Sequence, residues 1–222
     1  ARALTLDATT AAVQFGGVVG GTTAFGAIVI TGAMDLNSDI GDSSVGAASL
    51  TVSTTSDFAD AANNIALVRT TGIQTYSGAA NLTDNTSLIN TNSAITFGGA
   101  LTSVASGDKT LTINTGNAAT TFTGTVGAGT GRELGAIAIT GGMVASETIE
   151  AASLTVSLTS TITKDITTTG IQTYTGAALI AGDLTLDTTT ANAITFGGTL
   201  DSSGGARALT LDATTAAVQF GG

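Results

Sequence analysis

The chain has 222 residues, of which 30 are Gly, about a fifth are Thr and none is His, Cys, Trp or Pro. Its 16 acidic and 6 basic residues give a net charge of −10. Nucleic acid and anionic membranes are therefore not expected as partners, because both are bound through clusters of Lys and Arg. The same composition excludes disulfides, thiolate metal sites and Ser-His or Cys-His catalysis.

The first seventeen residues, ARALTLDATTAAVQFGG, return without change as residues 206–222. The chain thus contains one period and the opening of the next, which predicts a tandem array in the parent molecule. We expect residues 1–222 to form a single continuous segment of this array. Its principal partner is then another copy of the same sequence, joined end to end.

A weaker repeat divides the period into two half-units. TTGIQTYSGAA at Thr70 returns as TTGIQTYTGAA at Thr168, which places the half-units at about residues 70–167 and at residues 168–222 continuing into 1–69. One half-unit is about eleven residues longer over its AASLTVS region. Because a stack of coils absorbs extra residues only at corners, we expect residues 39–44 and 56–64 to be surface excursions or one additional coil.

Short runs of alternating apolar and polar residues follow one another along the chain and end in Gly. Leu4-Thr5-Leu6-Asp7 is the first such run, and residues 50–53, 111–114 and 184–187 repeat the pattern. This alternation predicts half-buried strands rather than helices. The absence of Pro suits a backbone that is hydrogen-bonded on both sides throughout.

Aromatic residues mark the length of one coil, because they recur at a spacing in the low twenties, as from Tyr76 to Phe97 and from Tyr174 to Phe196. This spacing predicts an all-β chain folded as a parallel β-solenoid, with roughly eight to ten coils per period. At about 4.8 Å per coil the period would advance by about 40 to 50 Å. We expect seven rings to point into one lumen: Phe15, Tyr76, Phe97, Phe122, Tyr174, Phe196 and Phe220.

Two carboxylate pairs have the composition of a glycosidase site, namely Asp57 with Asp60 and Glu147 with Glu150. Neither pair has a counterpart in the other half-unit, and a repetitive polymer has little need of an active site in every period. We interpret all four as solvated corner acids that keep the molecule soluble. The sequence therefore predicts no enzyme, no catalytic residue and no cofactor-binding residue.

One segment, DLNSDIGD, places Asp35, Asn37 and Asp39 at the alternating spacing of a calcium loop. The sixth position of such a loop should be Gly and is Ile40, and the twelfth should be Glu and is Gly46. A structural insertion loop is the favoured interpretation, so no metal ligand is assigned, and calcium binding by these three residues is left open.

Thr-x-Thr pairs raise the alternative of an ice-binding surface, because regular Thr arrays can order water. They occur at Thr110 and Thr112, at 121 and 123, and at 161 and 163. The lengths of the coils vary by several residues, which argues against a regular lattice. Thr acting as an outward-facing strand former is the favoured interpretation.

The phrases G-IQTY-G, AITFGG, LTLD and VGGTTAFGAI together resemble the repeats of giant bacterial surface proteins of the filamentous haemagglutinin and autotransporter adhesin type. The resemblance implies a right-handed parallel β-helix at the cell surface, outside the cell, without insertion into the membrane. It implies a filament or stalk that supplies length and rigidity. The alternative is an adhesin whose solenoid face binds glycans, other cells or neighbouring fibres.

The exact repeat makes further copies, joined end to end, the expected partners, and whether such filaments also bundle laterally is left open. Host or neighbour-cell glycans would bind through domains outside the segment.

Overall fold

The computed structural model describes residues 1–104 and 109–221; Gly222, the last residue of the second copy of the opening segment, lies outside the described residues. The described residues form 22 β-strands and no helix, so none of them belongs to a helix able to cross a membrane. All pairings between these strands are parallel, and together they form one continuous stack. The prediction of an all-β parallel solenoid is confirmed.

The strands are short, and a few of them are long enough to turn a corner. In chain order they are β1 (Leu4–Phe15), β2 (Ala27–Leu36), β3 (Ser49–Val52), β4 (Ser56–Phe58), β5 (Ile65–Arg69), β6 (Gln74–Tyr76), β7 (Ala80–Leu82), β8 (Asn85–Ile89), β9 (Ile95–Phe97), β10 (Leu101–Ser103), β11 (Leu111–Phe122), β12 (Leu134–Ala145), β13 (Ile149–Val156), β14 (Ser160–Ile162), β15 (Ile166–Thr168), β16 (Gln172–Tyr174), β17 (Ala178–Ile180), β18 (Leu184–Thr188), β19 (Ile194–Phe196), β20 (Leu200–Ser202), β21 (Leu209–Asp212) and β22 (Val218–Phe220).

Three faces surround the core, and the chain visits them in the order A, B, C. Face A contains the start of β1 and β2, then β3, β6, β9, the ends of β11 and β12, and β14, β17 and β20. Face B contains the ends of β1 and β2, then β4, β7, β10, the start of β13, and β15, β18 and β21. Face C contains β5, β8, the starts of β11 and β12, the end of β13, and β16, β19 and β22.

Three further positions in the stack are occupied by isolated parallel bridges instead of strands. Val19 and Ile40 precede β5 on face C, and Val126 lies between β10 and β13 on face B. With them each face has ten positions, and the described chain makes ten turns. Successive turns are unequal, since the turn from Ile137 to Leu154 is much shorter than the turn from Leu111 to Ile137 that precedes it.

The sequence repeats do not correspond to whole turns. Gln74 lies on face A, and its counterpart Gln172 lies on face C, fourteen positions further along the stack. Leu4 lies on face A, and Leu209, its identical counterpart in the second copy, lies on face B. One period therefore spans 28 positions, which is nine turns and one third of a turn, within the expected range.

The corners absorb the differences in length between the half-units. The stretch from Met34 to Gln74 crosses as many positions as the stretch from Met143 to Gln172, so the longer half-unit contains no additional coil. The expected excursions need correction. Within residues 56–64, Ser56–Phe58 is strand β4, paired on both sides, and within residues 39–44, Ile40 is fully buried, because both supply inward side chains.

Six aromatic rings form two separate stacks on different faces. Tyr76, Phe97 and Phe122 stack on face A with centroids 5.2 and 5.5 Å apart. The other stack lies on face C, because the half-units are offset by fourteen positions; it consists of Tyr174, Phe196 and Phe220, with separations of 5.3 and 5.6 Å. The prediction that the rings point into one lumen is confirmed for the five of the seven that are fully buried.

The two remaining rings of that prediction are less enclosed. Phe15 is partly buried and packs against the core, and Phe220, in the last described turn, is 62% exposed. Phe58 was not anticipated. It is fully buried on face B and meets Tyr76 edge to face at 5.1 Å.

A polar pair interrupts the apolar core at the same place in each half-unit. The Tyr76 hydroxyl donates to Gln74 Oε1 at 2.9 Å, and Gln74 Nε2 donates to the carbonyls of Val68 and Ile89 at 3.2 and 3.0 Å. Burial raises the pKa of Tyr76, so the phenol keeps its proton. Gln172 and Tyr174 repeat this arrangement. Each pair binds carbonyls where face C turns into face A or face B into face C, and so fixes the corner to the core.

Glycine residues allow the coils to approach closely at the corner that follows face A. A Cβ atom on Gly99 would lie 2.5 Å from the carbonyl carbon of Gly78, and one on Gly124 would lie 2.4 Å from that of Gly99. These distances are shorter than real Cβ contacts, and the neighbouring atoms belong to the backbone. The spacing between these coils therefore requires Gly at this corner.

We predict that Gly99→Ala lowers the free energy of unfolding by about 2 kcal/mol, because the new methyl group forces two coils apart. At about 2 to 4 °C per kcal/mol this lowers Tm by about 4 to 8 °C, measurable by thermal denaturation. Gly16→Ala is the matched control, since no atom lies within 4 Å of its added Cβ. Equal Tm values for the two variants would contradict the close packing of the coils.

Candidate functional site

Along its sides, this solenoid can meet a partner through the outward residues of its strands. In a strand of three residues the first and third side chains point inward and the middle one points outward, as the burial of β6, β9 and β16 shows. The parallel register stacks these middle residues in rows along the axis. Each face therefore carries a central outward row whose chemistry can be read directly.

Face A carries a row of hydroxyl and aliphatic side chains. Thr51 pairs with Thr75, Thr75 with Thr96 and Thr96 with Thr121, so four Thr lie in register on four successive coils. The row continues without charge on both sides of these four. From β2 to β17 its members are Val29, Thr51, Thr75, Thr96, Thr121, Val144, Thr161 and Leu179.

Face C carries a similar row in the second half-unit. Thr155, Thr173 and Thr195 occupy successive coils there and are the counterparts of Thr51, Thr75 and Thr96. The offset of fourteen positions moves the Thr row from one face to another. The members that precede it are also uncharged from β8 onward, namely Ser87, Thr112 and Ala138.

Face B is the acidic side of the molecule. The corners next to it carry most of the other charged residues, whereas the corner between faces C and A carries only Arg2 and Asp42 among the described residues. Charge is thus sparse on faces A and C, where Asp7 and Asp201 on face A and Arg69 on face C lie outside the uncharged stretches of the two central rows. The outward residues of face B include five carboxylates: Asp35, Asp57, Glu150, Asp187 and Asp212.

The two carboxylates of the first candidate pair serve different purposes. Asp57 faces outward from β4, where Oδ1 accepts hydrogen bonds from Thr83 Oγ1 at 2.6 Å and from Asn81 Nδ2 at 3.3 Å. Asp60 lies at the corner after β4, is 1% exposed, and accepts a hydrogen bond from the backbone N–H of Ala62. The interpretation of Asp60 as a solvated acid is therefore wrong. Asp57 ties neighbouring coils together and Asp60 closes a turn, so the structure gives the pair no shared site.

The second candidate pair lies on either side of one corner. Glu147 is at the corner between faces A and B, and Glu150 faces outward from β13 on face B. Glu150 borders a shallow depression together with Glu133, Thr167 and Thr189, and Glu147 is not part of its lining. The two carboxylates of the pair therefore do not share a cleft in which they could flank a glycosidic bond, as those of a glycosidase do.

Of the three calcium-loop candidates, Asp35 and Asn37 are hydrogen-bonded to each other and Asp39 to the backbone. Asp35 accepts hydrogen bonds from Gln14 Nε2 at 2.8 Å and from Asn37 Nδ2 at 2.7 Å, so Asn37 presents its nitrogen to the carboxylate. Asp39 Oδ1 accepts from the backbone N–H of Leu67, on the following coil. Within residues 1–104 and 109–221 no three His, Cys, Asp or Glu side chains are grouped to hold a metal ion.

The Thr-x-Thr pairs are distributed over two faces. Thr110 and Thr112 lie on face C, whereas the pairs at 121 and 123 and at 161 and 163 lie on face A. Unequal coil lengths do not disturb the central rows, because the extra residues lie at corners. The second row on face A is irregular, since the residues that follow the four central Thr are Ser53, Ser77, Gly98 and Thr123.

An acidic corner between faces B and C was not anticipated, because its members are more than twenty residues apart in sequence. Asp60 donates its backbone N–H to Asp84 Oδ2 at 2.9 Å, and Asp84 forms an ion pair with Lys109 at 3.7 Å. Burial raises the pKa of Asp39, and the charge of Asp60 adds to this effect, while the hydrogen bond from Leu67 opposes it.

Comparison with protein-family models, with curated proteins and with solved structures finds no match to this chain. The fold, the repeat and the distribution of charge are therefore the observations on which a function can be based.

We predict that Asp39→Asn stabilises the protein at neutral pH and not at acidic pH. The folded-state pKa of Asp39 lies above its ordinary value of 3.8, so its contribution to stability is fully present below that value and is lost as pH rises through the folded pKa. The amide keeps an oxygen for the Leu67 N–H and removes the charge. We expect Tm to rise by about 1 °C at pH 7.

Thermal denaturation of both proteins at pH 3 and at pH 7 measures this difference. Asp42→Asn is the control with the opposite sign, because backbone N–H groups of Ser44 and Val45 lower the pKa of Asp42. Removal of its charge should therefore lower Tm at pH 7. An unchanged or lower Tm for Asp39→Asn at pH 7 would contradict the assignment of a destabilising charge.

Proposed function

We propose that this chain is a segment of a structural filament or stalk of a giant repetitive bacterial surface protein, placed outside the cell, where it supplies length and rigidity. One observation carries the proposal. The seventeen residues that begin the period return one face further along the same stack, with LTLD on face B above β18 and VQF above β19. The second copy thus continues the solenoid instead of starting a new unit.

The nature of the core supports a mechanical role. Apolar side chains from all three faces form one cluster that extends from β2 to β19. Coils related in this way are stabilised by their neighbours, so stability increases with the number of coils.

Surface placement outside the cell rests on the resemblance of the repeat phrases to filamentous haemagglutinin and autotransporter adhesin repeats. The composition is compatible with it, since a chain without Cys and Pro contains neither thiols to oxidise nor prolyl bonds to isomerise after export.

Chains of one, two and three periods, made by joining copies of residues 1–205, test the filament directly. Each added period should lengthen the particle by about 45 Å at constant width, because 28 positions on three faces advance by about 4.8 Å per turn. Small-angle scattering and electron microscopy measure both dimensions. The matched control joins the same periods through a flexible Gly/Ser linker, which interrupts the stack and allows bending.

Particles that grow in all dimensions, or that bend at every period, would contradict the filament.

Placement at the surface is tested on intact cells that produce the parent protein, with an antibody against the acidic face B. We expect labelling without permeabilisation. Labelling only after the cells are opened would overturn the extracellular placement while leaving the filament itself intact.

A further inference from the structure

We propose that face A is a lateral contact surface at which two copies of this solenoid pack side by side. The contact surface consists of the outward residues of face A from β2 to β17, centred on the row of four Thr. The proposal rests on the filament function, since it names the partner that a filament surface would meet, and it concerns the sides of the solenoid rather than its ends.

The distribution of charge favours face A as the contact surface between two copies. Each copy has a net charge of −10, so two copies repel one another in most orientations. Contact through face A brings no ionised group of its central row from Val29 to Leu179 into the interface, whereas contact through the neighbouring face B would bring Asp35, Asp57 and Glu150 into it. Charges separated by more than about 8 Å are largely screened at physiological salt.

The axial spacing of the outward side chains favours a second copy of this chain as the partner. Side chains on face A repeat once per coil at about 4.8 Å, and a second copy of this chain has the same spacing. Two such faces can therefore interdigitate over their whole length, as the paired sheets of a steric zipper do. A glycan or an unrelated protein surface does not share this period, so its contacts would fall out of step along the row.

The shape of face A suits close packing against a second copy. Ile73 is 50% exposed and lies on the stack between Ser49 and Ala94, the residues that precede the paired Leu50 and Ile95. A branched apolar side chain between two small neighbours forms a projection with a hollow on each side. In a two-fold pair the projection of one copy faces a hollow of the other, which buries apolar area that is otherwise in water.

The area of the contact indicates how strong it is. Eight coils at about 4.8 Å, with outward side chains over about 14 Å of strand, give about 500 Å² per copy. The total of about 1,000 Å² is at the lower limit of specific interfaces. A single segment should therefore pair weakly, and an array should pair firmly because its periods bind together.

The offset of one third of a turn determines how far the contact extends along an array of identical periods. In the second period, the residues that form face C of the first period lie on the side of face A. In the third period, the residues that form the acidic face B lie there. A given side thus carries few charges for two periods, about 90 Å, and is acidic for the next, about 45 Å. Lateral contacts between filaments should consequently recur every three periods.

Single cysteines test the contact cleanly, because the chain has none of its own. Thr96→Cys places a thiol at the centre of face A, and Thr167→Cys places one at the corresponding outward position of face B, with partial exposure in both cases. Under mild oxidation at high protein concentration we expect Thr96→Cys to form disulfide-linked dimers at least about tenfold faster, a ratio equivalent to about 1.4 kcal/mol.

Thr96 lies four coils or more from either end of the described stack, so end-to-end association cannot bring two copies of it together. A preference for Thr96→Cys is therefore specific to side-by-side packing. Adding Thr75→Lys to Thr96→Cys should abolish the preference, and adding Thr102→Lys on face B should not. Circular dichroism and Tm establish that each variant is folded.

Equal dimerisation rates for Thr96→Cys and Thr167→Cys would overturn the proposal. So would a faster reaction at Thr167, or protection of Thr96→Cys by a neutral polysaccharide in a chain that stays monomeric; the last result would assign face A to glycans. None of these outcomes changes the particle lengths measured for arrays, so failure of the lateral contact and failure of the filament are distinguishable.

Discussion

The hydrogen-bonded register between successive coils is the constraint on which the rest of this molecule depends. Because a shift by a single position would turn every inward side chain outward, insertions are confined to corners. Turns as unequal as those from Leu111 to Ile137 and from Ile137 to Leu154 therefore present the same inward and outward positions to their neighbours. The aromatic stacks, the Gly corner and the Thr rows all follow from this register, since each needs equivalent residues at equivalent positions.

The repeated residues of the two half-units and the acidic residues are distributed differently over the faces. Each half-unit advances by fourteen positions, so the repeated residues of one half-unit return on another face. The acids do not return with them, since Asp35 and Asp57 correspond to Val144 and Thr161 in the second half-unit. Acids of both half-units nevertheless lie on face B. Within one period the acidic side thus stays on one face and does not follow the half-unit repeat, and it moves one face further in each new period.

The sequence predicted local features well and global geometry less well. Alternation at Leu4–Phe15 and the recurrence of Tyr76, Phe97 and Phe122 indicated strands and a ring stack, because both depend on neighbours in register. Phe58 was missed because it lies on another face, at a spacing outside the recurrence. The two aromatic stacks and the acidic corner at Asp60 depend on the number of faces per repeat, which only the pairings reveal.

Cryo-electron microscopy of an array of identical periods tests the central claim, that register is kept across unequal coils, most directly. The pairings predict 28 strand positions per period. Each period is then rotated about the axis by one third of a turn relative to the period before it, in addition to the twist that its coils accumulate. A density with 27 or 30 positions per period, which would be whole numbers of turns with identical copies on the same face, would contradict this account.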